Sequence, residues 1–297
     1  MKKLLKLFLL LTLLITGWIG YRIVDSNRDV PIHDQQALDT SLESGIQWLL
    51  ANRETILADS NRILWRMLQK AAARSGDARL DELVTTYLNR HQSALRNSSW
   101  GYLFDDKHWA PLNYDQLKHL PEYNQHFIYA MSCDPELAKV PLIAEQNSPD
   151  FCNQHRLRPA CVTHQMMGVL LLERKQCETD FDVAAVKSVL QDRIYQQLRW
   201  DPRGAVDVNI QRVLMLEESG AGERVKPIWI QRILDAQLAD GGWSPNQPVI
   251  SVANKTLSFG GKGLVSDPVV ASFHATAQAI YLLSLRHQSP PLPRNNS

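Results

Sequence analysis

Four stretches of the chain open on polar residues and close on apolar ones: YNQHFIYAM (123–131), THQMMGVLLL (163–172), DVNIQRVLML (207–216) and HATAQAIYLL (274–283). Aligned on His126, Met167, Gln211 and Gln278 they recur at steps of 41, 44 and 67 residues, the last longer by about one inserted loop. A period of roughly 42 residues holds two helices and two turns. Around these stretches apolar residues keep helical spacing, as in 42–50, 63–73, 80–88, 183–198 and 228–238. Clusters such as SGD (75–77) and DPRG (201–204) punctuate them. Period-two runs are few. The pattern predicts an all-α fold, an α/α toroid of about six helical hairpins, over residues 37–287.

The chain has 297 residues with 32 Lys and Arg against 31 Asp and Glu, and 44% of it is hydrophobic. Such values disfavour a disordered or fibrous chain and a polytopic membrane protein. Balanced charge also removes the electrostatic reason to expect nucleic acid as a partner.

The N-terminus reads Lys2, Lys3 and Lys6, then an unbroken apolar run from Leu7 to Tyr21. This is a charged segment followed by a hydrophobic one, and with Leu4, Leu5, Ile23 and Val24 added it is long enough to cross a bilayer. Residues 1–24 are read as a signal anchor, with cleavage after Gly17 as the alternative. The lysines keep that end in the cytoplasm, so the rest of the chain is expected in the periplasm, anchored to a bacterial inner membrane. Residues 25–36, with Pro31, read as a linker that frees the domain from the bilayer, and 288–297, rich in proline, as a disordered tail.

All four cysteines lie between Cys133 and Cys177, an even number that an oxidising compartment makes into two disulfides. Cys161 and Cys177 bracket a helical run and would stand about 24 Å apart. That leaves Cys152–Cys161 with Cys133–Cys177, or the crossed pairing. The first is preferred because it closes a small loop.

Residues 228–243, IWIQRILDAQLADGGW, end in Gln237-x3-Gly241-x-Trp243. This resembles the Gln/Trp repeat of the terpenoid cyclase and protein prenyltransferase superfamily. Residues 272–285, SFHATAQAIYLLSL, resemble the prenyltransferase helix whose histidine binds zinc. The resemblance implies a toroid whose inner helices point their N-terminal ends at a central cavity. It does not carry the chemistry: the cyclase acidic motif is missing, and an Asp-x-Cys pair occurs only at Asp150 and Cys152, out of place relative to His274.

If the polar openings start the inner helices, they bring Tyr123, Asn124, His126, His164, Gln165, Asp207, Asn209, Gln211, Arg212 and His274 to one cavity. Helix N-termini favour anions, although residues such as Thr163, Asp207 and Asn209 are equally ordinary caps. Three of the four openings carry a histidine, a poor cap but a versatile acid, base or ligand. No cofactor is expected, with zinc on His126, His164, Asp207 and His274 as the alternative. The spacing Cys152-x2-His155-x5-Cys161-x2-His164 also allows a zinc knot, which a disulfide would preclude.

Between Trp100 and His126 lie Trp100, Tyr102, Phe104, Trp109, Tyr114 and Tyr123, interleaved with Asp105, Asp106, His108 and Asp115. Flat apolar faces beside carboxylates suit a sugar cleft, and a loop packing its own aromatics is the plainer reading. Residues 244–272 form a long connection in which 249–259 reads as a hairpin around Asn254 and Lys255, and GGKG (260–263) as a weak anion cradle.

Processing or binding of an oligosaccharide in the cavity is therefore the leading expectation. A lyase would use His126 or Tyr123 as base and acid, Asn124 against a uronate carboxylate and Arg212 to orient it. Trp100, Tyr102, Trp109, Gln165, Gln211 and Trp243 are the expected substrate contacts. An isoprenoid- or lipid-binding toroid and a non-catalytic envelope interaction module are the alternatives.

Overall fold

The computed structural model describes residues 2–105, 112, 114–155, 157–252, 255–260, 263–266 and 268–287. Trp109, Asp106 and His108 of the aromatic segment, and the tail from 288, lie outside the described residues.

The apolar leader is one helix, α1 (Lys2–Asp25), none of whose residues is buried. It is the one candidate membrane span among the described residues. Helices α2 (Gln35–Ala51), α3 (Arg62–Ser75), α4 (Ala78–Arg90), α5 (Glu122–Ser132), α6 (Pro141–Asn147), α7 (Cys161–Lys175), α8 (Val183–Trp200), α9 (Asp207–Glu218), α10 (Pro227–Asp235) and α11 (Phe273–Arg286) follow. Side chains mark their starts. Asp34, Asp77, Asp182 and Ser272 accept hydrogen bonds from the first free N–H groups of α2, α4, α8 and α11, while proline opens α6 and α10. Gly76, at φ 69°, ends α3 in the left-handed region.

Two burial patterns sort the helices into layers. Helices α5, α7, α9 and α11 are buried around most of their circumference, as in the unbroken stretch Val208–Leu216. The helix α8 buries only Val186, Leu190, Ile194 and Leu198, one stripe at four-residue spacing. Packing follows this division. Helices α3, α11, α9, α7 and α5 lie side by side in that order, and the 3-10 turn Ser99–Leu103 touches both end members, α5 and α3. Against their outer side lie α2, on α11, α4 on α3, α6 on α5, α8 on α7 and α9, and α10 on α9. The alternation gives five pairs where the repeat arithmetic predicts about six. Between α4 and α5 the described residues form only the short helices Gln92–Arg96 and Tyr114–Leu117 and the 3-10 turn Ser99–Leu103.

The fold is mostly helical but not wholly so. The long connection before α11 holds an antiparallel sheet of β1 (Gln247–Val252), β2 (Lys255–Gly260) and β3 (Gly263–Val265) in that order. The hairpin expected over 249–259 is β1 and β2, and this insertion accounts for the 67-residue step. Along β2 burial alternates: Leu257 is exposed, Ser258 buried, Phe259 half-buried and Gly260 buried.

Both disulfides match the preferred pairing, Cys133–Cys177 and Cys152–Cys161, with Cα atoms 5.2 and 5.7 Å apart. The first ties the end of α5 to the residues after α7, and the second closes the turn that leads into α7. The two oxidised sulfurs of Cys152 and Cys161 rule out the zinc knot.

The motif Gln237-x3-Gly241-x-Trp243 proves to be a staple. Trp243 is fully buried, with its indole N–H on the Ile233 carbonyl at 2.7 Å and its ring against Gly45, where a Cβ would lie 2.8 Å from Trp243 Cζ3. Gln237 donates to the carbonyls of Ser41 and Gly241 at 2.8 and 2.7 Å. Gly241, at φ 92°, passes so close to the Ser44 carbonyl that a Cβ would lie 2.3 Å from it. Trp243 therefore locks α10, α2 and α11 together, and the expectation that it contacts a substrate is corrected by its burial.

The segment after α1 is not a free linker at its start. Arg22 donates to the Pro202 carbonyl at 3.0 Å, Asn27 to the Arg199 carbonyl at 2.8 Å, and Trp229 to the Ser26 carbonyl at 2.9 Å. Asp25 pairs with Arg232. These bonds clamp the end of α1 to the α8–α9 connection and to α10.

Candidate functional site

The N-terminal turns of α3, α5, α7, α9 and α11 meet at a cavity of about 540 Å³. Tyr123 and Asn124 reach it from α5, His164 from α7, Asp207 and Gln211 from α9, His274 and Gln278 from α11, and Arg62 from α3. Trp100 closes one side, with the Arg62 guanidinium 5.8 Å above its ring. The convergence of polar openings is thus present. Five helix N-termini aimed at one space make it favourable to an anion.

Two pairs of side chains define the centre. His274 Nδ1 donates to Asp207 Oδ1 at 2.7 Å. Its other ring nitrogen, Nε2, is 3.4 Å from the Gln278 amide nitrogen. Burial works against the His274 imidazolium, but the hydrogen bond and charge of Asp207, with the charge of Asp59 added, outweigh it and raise its pKa. His164 lies flat on Tyr123, ring centroids 4.2 Å apart and 8° from parallel. Burial first, and then the neighbouring positive charge of His274, push His164 down to about 4, against the pull of Asp207. One histidine is held toward its charged form and its neighbour toward its neutral form, an arrangement suited to acid and base roles.

The repeat register explains these pairs. Counting back from the alignment on His126, Met167, Gln211 and Gln278, Asp207 and His274 fall at one position, and Tyr123 and His164 at the next. Equivalent positions on adjacent helices touch.

His126 does not join them. It lies three residues, about 4.5 Å, further along its helix, and is fully buried. There Nε2–H donates to Asn147 Oδ1 at 2.9 Å, while Nδ1 is enclosed without a partner. Its ring lies so close to α7 that a Cβ on Gly168 would be 2.1 Å from Nδ1. Burial, only partly offset by the Asn147 hydrogen bond, lowers its pKa to about 4. His126 is a neutral wall residue, which corrects its expected roles as base and as metal ligand.

Arg212 is likewise committed to structure. Its guanidinium pairs with Asp201 Oδ2 at 2.7 Å and donates to Asn209 Oδ1, Gln197 Oε1 and the Pro159 carbonyl at 2.6, 3.0 and 3.1 Å. With four of its five N–H donors occupied and only 4% of the residue exposed, Arg212 is committed to the packing and not to orienting a uronate. Gln165 spans to the Gln146 and Ser148 carbonyls at 2.8 and 2.6 Å, and Gln211 accepts from Thr163 at 2.6 Å. Gln165 therefore ties α7 to α6. Tyr102, half-buried, packs on the hydrophobic core.

No group of three or more His, Cys, Asp or Glu side chains among the described residues is placed to hold a metal ion. The alternative zinc set of His126, His164, Asp207 and His274 is not assembled as a group, and His126 is sealed in the wall. Sequence reasoning overlooked Gln278 and Arg62 as cavity residues. Gln278 carried a signal, since it registers with Gln211, and its Oε1 is buried without a hydrogen bond. Arg62 lies in a helix outside the recognised repeats and carried none.

A second cavity of about 1020 Å³ shares Leu120, Tyr123, Ala160, His164 and Asp207 with the first and continues past Phe151, Leu157 and Val208. The Tyr123–His164 stack stands at the junction of one extended cleft.

Compared with known proteins, the chain matches no family model, no curated protein and no solved structure.

Proposed function

We propose that the inner helices close as an α/α ring and that the protein is an envelope protein, anchored in a bacterial inner membrane with its domain in the periplasm, that processes or binds an acidic polysaccharide in the cleft. Support for the ring comes from the side-by-side order of α3, α11, α9, α7 and α5, from the turn Ser99–Leu103 that bridges its ends, and from the resemblance of residues 228–285 to the cyclase and prenyltransferase toroids. The apolar α1 and the two disulfides support the location.

The observation that carries the reading is the Asp207–His274 pair beside a neutral His164 at the mouth of a long cleft. In β-elimination from a uronate chain, His164, its ring fixed by Tyr123, takes the proton from the carbon next to the carboxylate. The electron pair forms the new C–C double bond, the bond from the ring to the glycosidic oxygen breaks, and the protonated His274 supplies the proton to that leaving oxygen. Asn124 and the helix N-termini face the carboxylate, and Trp100 offers a flat surface to a sugar ring. Acid–base pairs of this kind contribute about 10²–10⁴-fold each.

The test is incubation of the purified full chain with a panel of polyuronates, followed by ultraviolet absorbance of the unsaturated product. Expected is activity lost in His274→Ala and His164→Ala. A profile held by neutral His164 and protonated His274 persists down toward pH 4 and falls as pH rises through the raised pKa of His274. In Asp207→Asn that basic limb moves to lower pH. No product and no bound oligosaccharide from any acidic glycan would overturn the carbohydrate reading.

The apolar reach of the second cavity, along Leu120, Leu142, Phe151, Leu157 and Val208, favours a second reading, an isoprenoid or lipid ligand. Native mass spectrometry of protein extracted from membranes would show it as bound lipid.

A further inference from the structure

The end of α1 and the three-stranded sheet meet in an unexpected way. The Trp18 ring stacks on Phe259 of β2, centroids 5.7 Å apart and 26° from parallel. Trp18 lies within the apolar helix, six residues before Val24, and so about 9 Å below the top of the apolar run. A span from Leu4 to Val24 covers about 30 Å, the thickness of a hydrocarbon core. With α1 in a bilayer, Phe259 therefore stands among the outer acyl carbons, within about 9 Å of the headgroup boundary.

Two further residues of that face, Leu257 and Leu264, are apolar and open, while Gln247, across from Phe259 on β1, is polar. Leu257 shares a face with Phe259 by the two-residue alternation, and Leu264 is the cross-strand partner of Phe259. Leu257 is 39% exposed and Leu264 59%. The opposite face, with Ser258 and Gly260, is buried against the domain. Beyond the end of α1, Trp200 ends α8, 62% exposed, next to Arg199, whose carbonyl accepts from Asn27. Tryptophan at the end of a span is what a bilayer interface selects.

We propose that the face of the sheet formed by Leu257, Phe259 and Leu264 is a bilayer seat. It lies in the headgroup and acyl boundary beside α1, with Trp18 and Trp200 as interfacial anchors. The occupant is phospholipid. Continuity argues for it: α1 touches this face directly, and the clamp of Arg22, Asp25, Ser26 and Asn27 keeps the domain from swinging away. An apolar face immersed to about 5–10 Å is the usual depth for such surfaces. The sheet inserts between α9 and α11, and Asp207 N–H donates to the Pro245 carbonyl at 3.2 Å, so the seat and the Asp207–His274 pair share one end of the molecule.

The inference rests on α1 spanning the bilayer, and the experiment separates the two. The chain has four cysteines, all in disulfides, so one introduced thiol labels cleanly. Leu264→Cys carries an environment-sensitive fluorophore in the full-length protein, in nanodiscs of phosphatidylethanolamine and phosphatidylglycerol. Val189→Cys, about 16 Å back along α8 from Trp200, is the reference, and Leu257→Cys is the second position should Leu264→Cys misfold. Expected is several-fold stronger quenching by nitroxide-labelled lipid, and several-fold weaker quenching by aqueous iodide, at Leu264 than at Val189. Equal iodide quenching at both sites in incorporated protein would overturn the seat alone. Failure of the full chain to enter nanodiscs would overturn the anchor and the seat together.

Discussion

Two histidines set in the same repeat, one in each wall of the cleft, are held in opposite ways. In the α5–α7 wall, His126 is sealed against Gly168 and Asn147, and two disulfides fix the connections around it. In the α9–α11 wall, His274 faces the cleft and is held by the charge of Asp207. Three residues along a helix separate the level of Tyr123 from that of His126, close to one full turn. That turn decides whether an imidazole meets a ligand or becomes part of the packing. A histidine in a recurring motif is thus informative only with its depth along the helix attached.

The contrast is broken most directly through the covalent bonds. Replacing Cys133 and Cys177 together by serine frees a 44-residue loop. In the chain-entropy account this costs about 4 kcal/mol, against about 3 kcal/mol for the nine-residue loop of Cys152 and Cys161. Urea unfolding of the two double variants in the same detergent would check the order, and equal losses would count against loop entropy as the cause.

Next in size is a pH effect confined to the sealed wall. His126 titrates near 4 in the folded protein and near 6.5 unfolded, so the unfolded chain binds its proton first as pH falls. Its contribution is complete above about pH 6.5 and is lost between there and pH 4, reaching about 3 kcal/mol. Unfolding free energies of wild type and His126→Asn across that range would show it as a slope that the variant reduces, the remainder coming from His164, which burial also lowers to about 4.

Gly168→Ala places a methyl group where the His126 ring lies and is expected to cost about 1–3 kcal/mol. Pairing it with His126→Ala should recover part of the loss, which a double-mutant cycle would measure. The smallest effect on stability is expected in the open wall. His274→Ala removes a cavity-lining side chain and should change the unfolding free energy by under about 1 kcal/mol, measured by the same urea titration. A loss comparable to that of Gly168→Ala would mean that His274 is as structural as His126 and would remove the reason to treat the two differently.

Much of the helical framework was legible in the sequence. The four polar-to-apolar stretches mark α5, α7, α9 and α11 because a helix buried on nearly all sides must be apolar beyond its first turn, and only its opening is free to be polar. The hairpin over 249–259 was also visible, as was the cysteine pairing, since a rigid α7 excludes Cys161–Cys177 and the smaller loop favours Cys152–Cys161 over the crossed pairing. The site was half legible. Tyr123, Asn124, His164, Asp207, Gln211 and His274 reach the cavity, whereas His126, Arg212 and Trp243 went to the packing.

What the sequence determined by itself was periodicity, the apolar leader and the oxidised cysteines, because each is a property of residues close along the chain. Which nitrogen meets which carboxylate, how Arg212 is spent on Asp201, and how β2 comes to lie on Trp18 were decided only by the tertiary structure. Those contacts join residues 11, 67 and 241 positions apart. No local pattern encodes them, since they depend on how one helix turns against the next and on where a clamp of hydrogen bonds fixes the end of α1.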